Sequence, residues 1–302
     1  MKLYRFMKLP KQLLKQFTGK KMERSFLSGN LLKMENVNLP SAEEFAMFKR
    51  EIGWLIKLDL TNYKDSQMNR RIVSIMNKNG ANNLSDYLTL LKCNENCLEE
   101  FVNMITINVS EFFRNREKFV ELEKVYLQEL LSKKYKLNIW SAGCSIGAEI
   151  YSVAMMLDKY GVLNRCDFLA TDFDENIINR AKSGIFCESE ISGALPEYKR
   201  YFQITECKSR SGQQNYQINP NLCSKVRFEK HNLLSTNYQK GFDLIICRNV
   251  VIYFTEETRS KVYKQFYDSL NPGGILFIGS TERVNHYNKY GYNLRSNFFY
   301  QK

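Results

Sequence analysis

Histidine is scarce in this chain of 302 residues, which has only two. Zinc sites are built mainly from histidine and cysteine side chains in closely spaced sets. The eight cysteines are scattered, and the close pair Cys93 and Cys97 is not accompanied by a second pair. We therefore predict no metal site, and we interpret Cys93 and Cys97 as partly buried helix cysteines.

Long apolar runs are also missing. No stretch approaches the roughly 18 apolar residues that a membrane-spanning helix needs. No uninterrupted apolar segment follows the basic N-terminus, so we expect no export signal and interpret the cysteines as reduced thiols of a cytoplasmic protein. The apolar fraction of 44% is nonetheless high enough for a packed core, which excludes a wholly disordered chain.

The positive charge is concentrated at one end of the chain. Of the net charge of +12, residues 1–40 account for +7, because they carry nine basic and two acidic side chains. Pro10 interrupts the helical spacing of the leucines and phenylalanines in this segment. We predict that residues 1–40 form a flexible, solvated basic extension. The alternative is a segment that adsorbs weakly to an anionic membrane surface or to nucleic acid.

A small all-α domain is predicted over residues 41–107. Ser41 and Glu44 have the spacing of a capping box, which marks a helix start. Four patterns of apolar residues with helical spacing follow one another, beginning near residues 41, 63, 85 and 95. Four helices joined by short loops predict a compact bundle.

Strands and helices alternate in the remainder of the chain, residues 108–302. Buried strands are predicted near 137–140, 166–170, 226–230, 242–247 and 274–279, and helices near 116–133, 148–159, 174–183 and 255–270. This alternation predicts an α/β domain in which a mostly parallel sheet has helices on both faces. The polar residues 203–225 interrupt the alternation, and we predict a small antiparallel β insertion or an exposed loop there.

The stretch from Leu137 to Tyr151 has the form of a ligand-binding turn in such a sheet. A buried strand leads into small residues, including Gly143 and Gly147, and then into a helix start. Small residues let the backbone approach a ligand closely. The spacing is neither the dinucleotide fingerprint nor a Walker loop, and Glu149 would repel a phosphate. A cofactor without phosphates fits better, and S-adenosylmethionine is the obvious member of that class.

Polar residues follow the other strands at the edge where ligands bind in such sheets. Asp172, at the end of the second strand, is placed to accept both hydroxyls of a ribose, whereas Asp174 is better suited to cap the next helix. Asn232 and Leu233 follow the predicted strand near 226–230. They would contact an adenine, unless they are plain turn residues.

The strand near 242–247 is followed by the polar pair Arg248 and Asn249. Tyr253, four residues further on, would ordinarily be interpreted as a core aromatic. Methylases of this fold that act on amino groups usually have an Asn/Asp-Pro-Pro-Tyr/Phe tetrapeptide after this strand. This chain has none, which argues against methylation of a nucleic-acid base.

Together these features resemble one family, the CheR-type chemotaxis-receptor methyltransferases, from about Ser41 to the C-terminus. The segments that carry the resemblance are Tyr63-Lys64 with Arg70-Arg71, Asn108-Val-Ser-Glu-Phe-Phe-Arg114, Trp140-Ser-Ala-Gly-Cys-Ser145, Ala170-Thr-Asp-Phe-Asp174, Asn232-Leu-Leu234, Cys247-Arg-Asn-Val-Val-Ile-Tyr-Phe254 and Asn271-Pro-Gly-Gly274. The linker at 108–114 and the block at 247–254 are specific to this family among methylases.

The resemblance implies a Rossmann-like domain that transfers a methyl group from S-adenosylmethionine to glutamate side chains of chemoreceptors, leaving S-adenosylhomocysteine. It implies a set of cofactor contacts, to which we add Gly143 of the glycine loop: Asn108, Ser110, Arg114, Glu149, Asp172, Asn232, Leu233, Arg248 and Asn249. Arg114 and Tyr253 would border the point of methyl transfer. The expected partner is the cytoplasmic helical domain of methyl-accepting chemoreceptors, and we expect a monomer that binds no nucleic acid and does not insert into a membrane.

Methylation of a carboxylate asks for little acid–base chemistry. A glutamate side chain has a reference pKa of about 4.3, so at neutral pH it is already an ionised nucleophile. No general base is needed, which agrees with the scarcity of histidine. We assign Arg114 to orienting the carboxylate by a charge-assisted hydrogen bond, shared with cofactor contact, and Tyr253 to the wall of the site.

The chain departs from the family pattern at four positions in these motifs. Ser110 stands where the family usually has threonine, so a hydroxyl is kept. Ile146, Ala148 and Ile150 stand where the family has threonine, glutamate and proline, so that one of two adjacent acids, Glu149, remains.

Three other interpretations stay open. The chain is alternatively a regulatory module that binds S-adenosylmethionine without transferring its methyl group, or a methylase of the same fold that acts on another carboxylate or a small molecule. A pure binding module would not need both Arg114 and Tyr253. A basic nucleic-acid binder is the third alternative, and the concentration of charge in residues 1–40 argues against it.

Overall fold

The computed structural model describes residues 40–106, 110–206 and 214–302. Nearly all of the basic extension predicted over residues 1–40 lies outside the described residues, and so does Asn108. No helix in the described ranges is long and apolar enough to cross a membrane.

Four helices form the first folded region: α1 (Ala42–Ile56), α2 (Asp65–Lys78), α3 (Leu84–Cys93) and α4 (Glu95–Thr106). Each contributes an apolar stripe to a shared core, in which Phe48, Tyr87 and Phe101 form an aromatic cluster. Local signals set the helix ends. Gly80 has a left-handed φ of +72° just past α2, and the side chain of Asn83 caps α3. The four predicted helices are confirmed.

The interpretation of Cys93 and Cys97 as partly buried helix cysteines is wrong for Cys93. Cys93 is the last residue of α3 and is exposed, whereas Cys97 is half-buried in α4. The two belong to different helices because Asn94, with an extended backbone, ends the first of them. The cysteines of the described ranges are free, and no group of three His, Cys, Asp or Glu side chains there is placed to hold a metal ion.

The described residues contain ten strands: β1 (Leu137–Ala142), β2 (Cys166–Asp172), β3 (Ile185–Cys187), β4 (Phe202–Ile204), β5 (Asn215–Ile218), β6 (Val226–Lys230), β7 (Phe242–Cys247), β8 (Leu270–Ile278), β9 (Asn293–Ser296) and β10 (Phe299–Gln301). Seven of them form one sheet in the order β6-β2-β1-β7-β8-β10-β9. The five from β6 to β8 run parallel, while β10 and β9 are antiparallel. The predicted mostly parallel sheet is confirmed, although β9 and β10 were not predicted.

Helices cover both faces of this sheet. They are α5 (the continuous run Arg116–Glu121, the π-helical Leu122–Leu127 and Gln128–Lys133), α6 (Ala148–Lys159), α7 (Glu175–Ser183) and α8 (Glu256–Ser269). Side chains of α5, α6 and α7 join the core on one face, and those of α8 join the core on the other. The strand order reverses between β1 and β7, which opens a crevice at the carboxyl ends of these strands.

A second, three-stranded antiparallel sheet has the order β3-β5-β4. This is the predicted β insertion, but it begins before residue 203, because β3 lies ahead of the polar stretch and β4 starts at Phe202. The insertion packs on the linker that precedes α5. The backbone N–H of Phe112 donates to the carbonyl of Glu190 at 2.9 Å, and the ring of Phe112 makes edge contacts with Phe186 and Phe202.

Candidate active site

A cleft with about 850 Å³ of empty space, partly open to solvent, lies at the carboxyl ends of β1, β2 and β7. The helical bundle contributes one wall of this cleft through Leu58, Tyr63 and Ile105. The cleft gathers all of the predicted site residues that the structure describes: Ser110, Arg114, Gly143, Glu149, Asp172, Asn232, Leu233, Arg248, Asn249 and Tyr253. Residues far apart in the sequence therefore share one pocket, and their contact with a cofactor stays a prediction.

The glycine loop approaches the loop after β7 very closely. Gly143 has a φ of +75°, and a Cβ at this position would lie 2.6 Å from Cγ2 of Val250. The backbone N–H groups of Gly143 and Cys144 both donate to the carbonyl of Thr171, at 2.8 and 2.9 Å. Glycine is therefore required here by backbone conformation and by loop packing, in addition to the ligand approach that the sequence suggested.

Asp172 is buried where β2 ends, with its carboxylate facing the glycine loop. Its Oδ2 accepts from the backbone N–H of Ser145 at 2.8 Å, and its Oδ1 accepts from that of Asp174 at 3.1 Å. Burial raises the pKa of Asp172, and the two N–H donors oppose this effect. The Asp172 carboxylate is held rigidly and desolvated at the rim of the cleft, as a residue that binds hydroxyl groups requires.

Asp174 has the structural role that the sequence predicted. Its Oδ1 accepts from the backbone N–H groups of Asn176 at 2.9 Å and Ile177 at 3.4 Å, so it caps α7. The prediction that Asp174 caps this helix is confirmed. Contact of Asp172 with the ribose stays a prediction.

Arg248 and Glu149 form a buried ion pair inside the cleft. Nη1 of Arg248 donates to Oε1 of Glu149 at 2.6 Å, and Nη2 donates to the carbonyl of Arg114 at 3.0 Å and to Oδ1 of Asn115 at 2.7 Å. The guanidinium also lies 4.7 Å from the ring centroid of Phe277. One side chain therefore joins the end of β7, the start of α6 and the linker that carries Arg114.

The departures from the family pattern around the glycine loop are packing residues. Ile146, Ala148 and Ile150 have no exposed surface and belong to the core between the sheet and α6. Glu149, between two of them, is the side chain of this turn that faces the cleft. The replacements thus enlarge the apolar core and keep Glu149, the acid of this turn that lines the cleft.

Tyr253 lies in a 3-10 turn, Val251–Tyr253, that the helical bundle holds in place. The backbone N–H of Lys64 donates to the carbonyl of Tyr253 at 2.9 Å, and Nζ of Lys64 donates to the carbonyl of Ile252 at 2.8 Å. The guanidinium of Arg71 lies 5.1 Å from the ring centroid of Tyr253. The start of α2 therefore fixes the aromatic wall of the cleft and brings positive charge beside it.

The residues after β6 serve both as turn residues and as part of the wall. Oδ1 of Asn232 accepts from the backbone N–H of Leu234 at 2.9 Å, which is a turn role, and Leu233 is nearly buried against the core. His231 packs its ring against Trp140 and Tyr238, and burial lowers its pKa. The imidazole is therefore neutral near pH 7 and part of an aromatic wall.

Unpartnered polar atoms around the cleft test whether its residues suit S-adenosylmethionine. Four buried atoms without a hydrogen-bond partner belong to lining residues: Oγ of Ser145, Nε2 of His231, Nε of Arg248 and Oδ1 of Asn249. Two carboxylates, Glu149 and Asp172, face the same space, and the guanidinium of Arg248 already pairs with one of them. Such a lining suits hydroxyl, amino and purine nitrogen groups more than phosphate, so it fits S-adenosylmethionine.

Two residues near the cleft were missed by sequence reasoning. Asn115 accepts a hydrogen bond from Arg248 and has a left-handed φ of +61°. Glu282 is buried behind the cleft and accepts from the backbone N–H groups of Asn249 and Val250. The available signal for Glu282 was an acid shortly after a long apolar strand, four residues past the end of β8.

Comparisons with known proteins agree with this architecture. The model of the CheR methyltransferase SAM-binding domain matches residues 108–299, and the model of the CheR methyltransferase all-alpha domain matches residues 43–106. Relatives with the name chemotaxis protein methyltransferase include proteins of three bacteria. The protein of Listeria monocytogenes is 41% identical over 266 residues, which cover 87% of this chain and 99% of the relative. The Borreliella burgdorferi protein is 32% identical over 256 residues (78% and 89%), and the Escherichia coli protein is 30% identical over 233 residues (75% and 79%).

The family models match the two folded regions in turn, and each of the three relatives aligns with at least three quarters of the chain. The matched SAM-binding domain contains the parallel sheet, and all the described site residues fall within it. The chain therefore belongs to the CheR family of S-adenosylmethionine-dependent methyltransferases.

Proposed function

We propose that this protein esterifies glutamate side chains on the cytoplasmic helical domains of methyl-accepting chemoreceptors. The observation that carries the proposal is the state of the titratable groups that line the described part of the cleft. Glu149 is paired with Arg248, Asp172 accepts two backbone N–H groups, and His231 is packed among aromatic rings. The two carboxylates are therefore already engaged by other partners, and neither is free to take a proton from an incoming substrate.

A cleft whose two carboxylates are already engaged suits an acceptor that is itself ionised. A carboxylate fulfils this condition at neutral pH, because the reference pKa of a glutamate is about 4.3. Amine and hydroxyl acceptors must lose a proton during or after transfer, so they are served less well by these residues. The names of the relatives place their methylation in chemotaxis, which favours a chemoreceptor as the bearer of the carboxylate.

We assign one group of cleft residues to binding the cofactor and another to binding the methyl acceptor. Bound S-adenosylmethionine supplies a methyl group on a positively charged sulfur, which is an electrophile for a carboxylate. Asp172 would hold the ribose hydroxyls, Glu149 with Arg248 would hold polar groups at the start of α6, and Asn232 with Leu233 would cover the adenine. Ser110, Gly143, Asn249 and, in the linker, Asn108 complete the proposed contact set.

Arg114 and Tyr253 would receive the acceptor at the open side of the cleft. Arg114 is half-buried, and its neighbours Phe113 and Asn115 both have a left-handed φ, so its position is set by an unusual backbone path. A guanidinium placed in this way orients a carboxylate by charge-assisted hydrogen bonds. The ring of Tyr253 and the bundle residues Tyr63 and Ile105 would exclude water from the nucleophile, which strengthens these contacts.

The proposal is tested by incubating the protein with methyl-labelled S-adenosylmethionine and a panel of purified chemoreceptor cytoplasmic domains. We expect label on a receptor in a form that mild base releases as methanol, since esters of glutamate hydrolyse in base and methylated amines do not. The matched control is the same receptor with glutamine in place of its surface glutamates, which should take up no label.

Three outcomes would contradict the proposal. Tight binding of S-adenosylmethionine without ester formation on any receptor would favour a regulatory binding module. Base-stable label would show a nitrogen acceptor. Label that appears in small molecules of a cell extract, and on no receptor, would favour a methylase of another carboxylate.

A further inference from the structure

Glu282 does not line the cleft, but its carboxylate holds a loop that does. It follows β8, and only 2% of its surface is exposed. Its Oε2 accepts from the backbone N–H groups of Asn249 at 3.0 Å and Gly279 at 2.5 Å, and its Oε1 accepts from that of Val250 at 3.1 Å. The pairing of β7 with β8 ends at Cys247. Beyond this point, the Glu282 carboxylate links the loop after β7 to the loop after β8.

The loop that Glu282 holds has an uncommon backbone conformation. Asn249 has a φ of +60°, in the left-handed region that residues other than glycine seldom adopt. Such a conformation persists when the surrounding contacts impose it. The carboxylate of Glu282 supplies two of these contacts, at Asn249 itself and at Val250.

Gly279 gives independent evidence that this carboxylate must sit close to the loop. A Cβ at Gly279 would lie 2.6 Å from Oε2 of Glu282 and 2.9 Å from the backbone nitrogen of Asn249. The φ of Gly279 is not in the left-handed region, so backbone conformation alone does not demand glycine there. Glycine is needed because the Glu282 side chain and the loop occupy the space that a Cβ would fill.

We infer that Glu282 is a positioning residue for cofactor binding. Its carboxylate fixes the corner Arg248-Asn249-Val250, and this corner directs Arg248 to Glu149 and holds Asn249, with its unpartnered Oδ1, at the wall of the cleft. Removal of the carboxylate releases the corner and weakens the binding of S-adenosylmethionine and S-adenosylhomocysteine. The inference concerns binding of the cofactor and not of the methyl acceptor, so it holds whichever carboxylate is methylated.

The first test substitutes Glu282→Gln and measures the dissociation constant of S-adenosylhomocysteine by calorimetry. The amide offers one accepting oxygen, and its NH2 group faces backbone N–H donors that it cannot satisfy. We expect the dissociation constant to rise by about tenfold or more, because the released corner no longer holds Arg248 and Asn249 in place at the cleft.

The matched control is Asp243→Asn. Asp243 is also a buried carboxylate that accepts a backbone N–H, that of Asn138 at 2.9 Å, but it lies near the start of β7, at the end of the strand opposite the cleft. This control should lower the melting temperature and leave the dissociation constant unchanged. Equal losses of stability in the two variants, with wild-type affinity in both, would overturn the inference.

A second variant, Gly279→Ala, disturbs the same contact without removing a charge. Its Cβ displaces the carboxylate or the loop, so we expect weaker binding of S-adenosylhomocysteine here too. If Glu282→Gln does not fold, this variant decides the question: wild-type affinity in folded Gly279→Ala would contradict the positioning role.

The pH dependence of binding separates positioning from simple structural support. Burial raises the pKa of Glu282, against the effect of its N–H donors and of Arg248, and the other titratable groups that face it are the Cys247 thiol and the Tyr263 hydroxyl. Protonation converts one accepting oxygen into a donor. Wild-type affinity for S-adenosylhomocysteine should therefore fall more steeply below neutral pH than that of Glu282→Gln. Parallel pH profiles would count against the role.

Discussion

The Arg248 guanidinium and the Glu149 carboxylate meet at 2.6 Å with both side chains nearly excluded from solvent. Removing either partner leaves an unpaired buried charge, which typically costs about 3–5 kcal/mol. We expect Arg248→Ala and Glu149→Ala each to lower the free energy of unfolding by about this amount. The double variant should lose clearly less than the sum of the two. Urea denaturation measures all three.

An exposed ion pair provides the control for this cycle. Glu257 and Lys261 pair on the surface of α8 with both side chains largely exposed. Glu257→Ala should leave the unfolding free energy nearly unchanged, because such pairs are screened by water. Additive losses in the Arg248 and Glu149 cycle would show that the two side chains act independently.

Asp172 and Asp174 allow a paired test of cofactor binding. Asp172→Ala removes the proposed partner of the ribose hydroxyls, so the dissociation constant of S-adenosylmethionine should rise by about tenfold or more. Asp174→Ala removes the cap of α7 and should lower the unfolding free energy by about 1 kcal/mol, with affinity nearly unchanged. Calorimetry and thermal denaturation of both variants distinguish the roles. An unchanged dissociation constant for Asp172→Ala would remove this residue from the binding site.

The buried acids predict a particular dependence of stability on pH. Burial raises the pKa values of Asp172 and Glu282 in the folded protein above those of the unfolded chain, which are about 4. The folded state then binds protons more tightly, so the stability that these groups contribute is fully present below the unfolded pKa. It is lost as pH rises through the folded pKa. Unfolding of cofactor-free protein, followed between about pH 4 and about pH 7, should show this contribution, and Asp172→Asn should reduce it. The same pH slope in the variant would contradict the assignment.

The reaction itself is tested at Tyr253 and Arg114. Tyr253→Phe keeps the ring between the bundle and the cleft, so cofactor affinity should barely change while methyl transfer slows by about tenfold, the effect of one lost transition-state hydrogen bond. Arg114→Ala should slow transfer further and weaken cofactor binding. Single-turnover rates with a chemoreceptor domain, together with calorimetry, separate the two effects. Wild-type rates in both variants would show that the methyl acceptor enters elsewhere.

Local patterns made much of the fold predictable. α6 and β7 have the bounds that the sequence predicted, because their apolar periodicity is strong and their ends carry clear signals. The short strands β3, β4, β9 and β10 were not predicted, since each has only three or four residues. β3 and β10 also depend on partners about 20 or more residues away, β5 and β8. Strand pairing of this kind is a property of the assembled sheet, and no local pattern encodes it.

The candidate site, too, could be predicted only in part from the sequence. Asp172 and Arg248 were recognised from their places at strand ends and from family resemblance, and the structure brings them to one cleft. The role of Glu282 could not be predicted, because it depends on three backbone N–H groups, two of which lie more than 30 residues earlier in the chain. The close fit of Gly143 against Val250 also depends on two distant loops meeting. Sequence indicates which side chains are available, and only the fold shows what holds them.

The contact between the β insertion and Phe112 limits how this enzyme can be rebuilt. Phe112 lies two residues before Arg114, and Phe186 and Phe202 of the insertion pack against its ring. A Cβ at Gly193 would lie 2.2 Å from the carbonyl oxygen of Phe112, so the insertion follows the linker backbone closely as well. The insertion therefore cannot be exchanged on its own for the corresponding segment of another methyltransferase. A chimera that takes this segment from another methyltransferase must keep complementary partners for Phe112, or the graft will displace the arginine at the cleft.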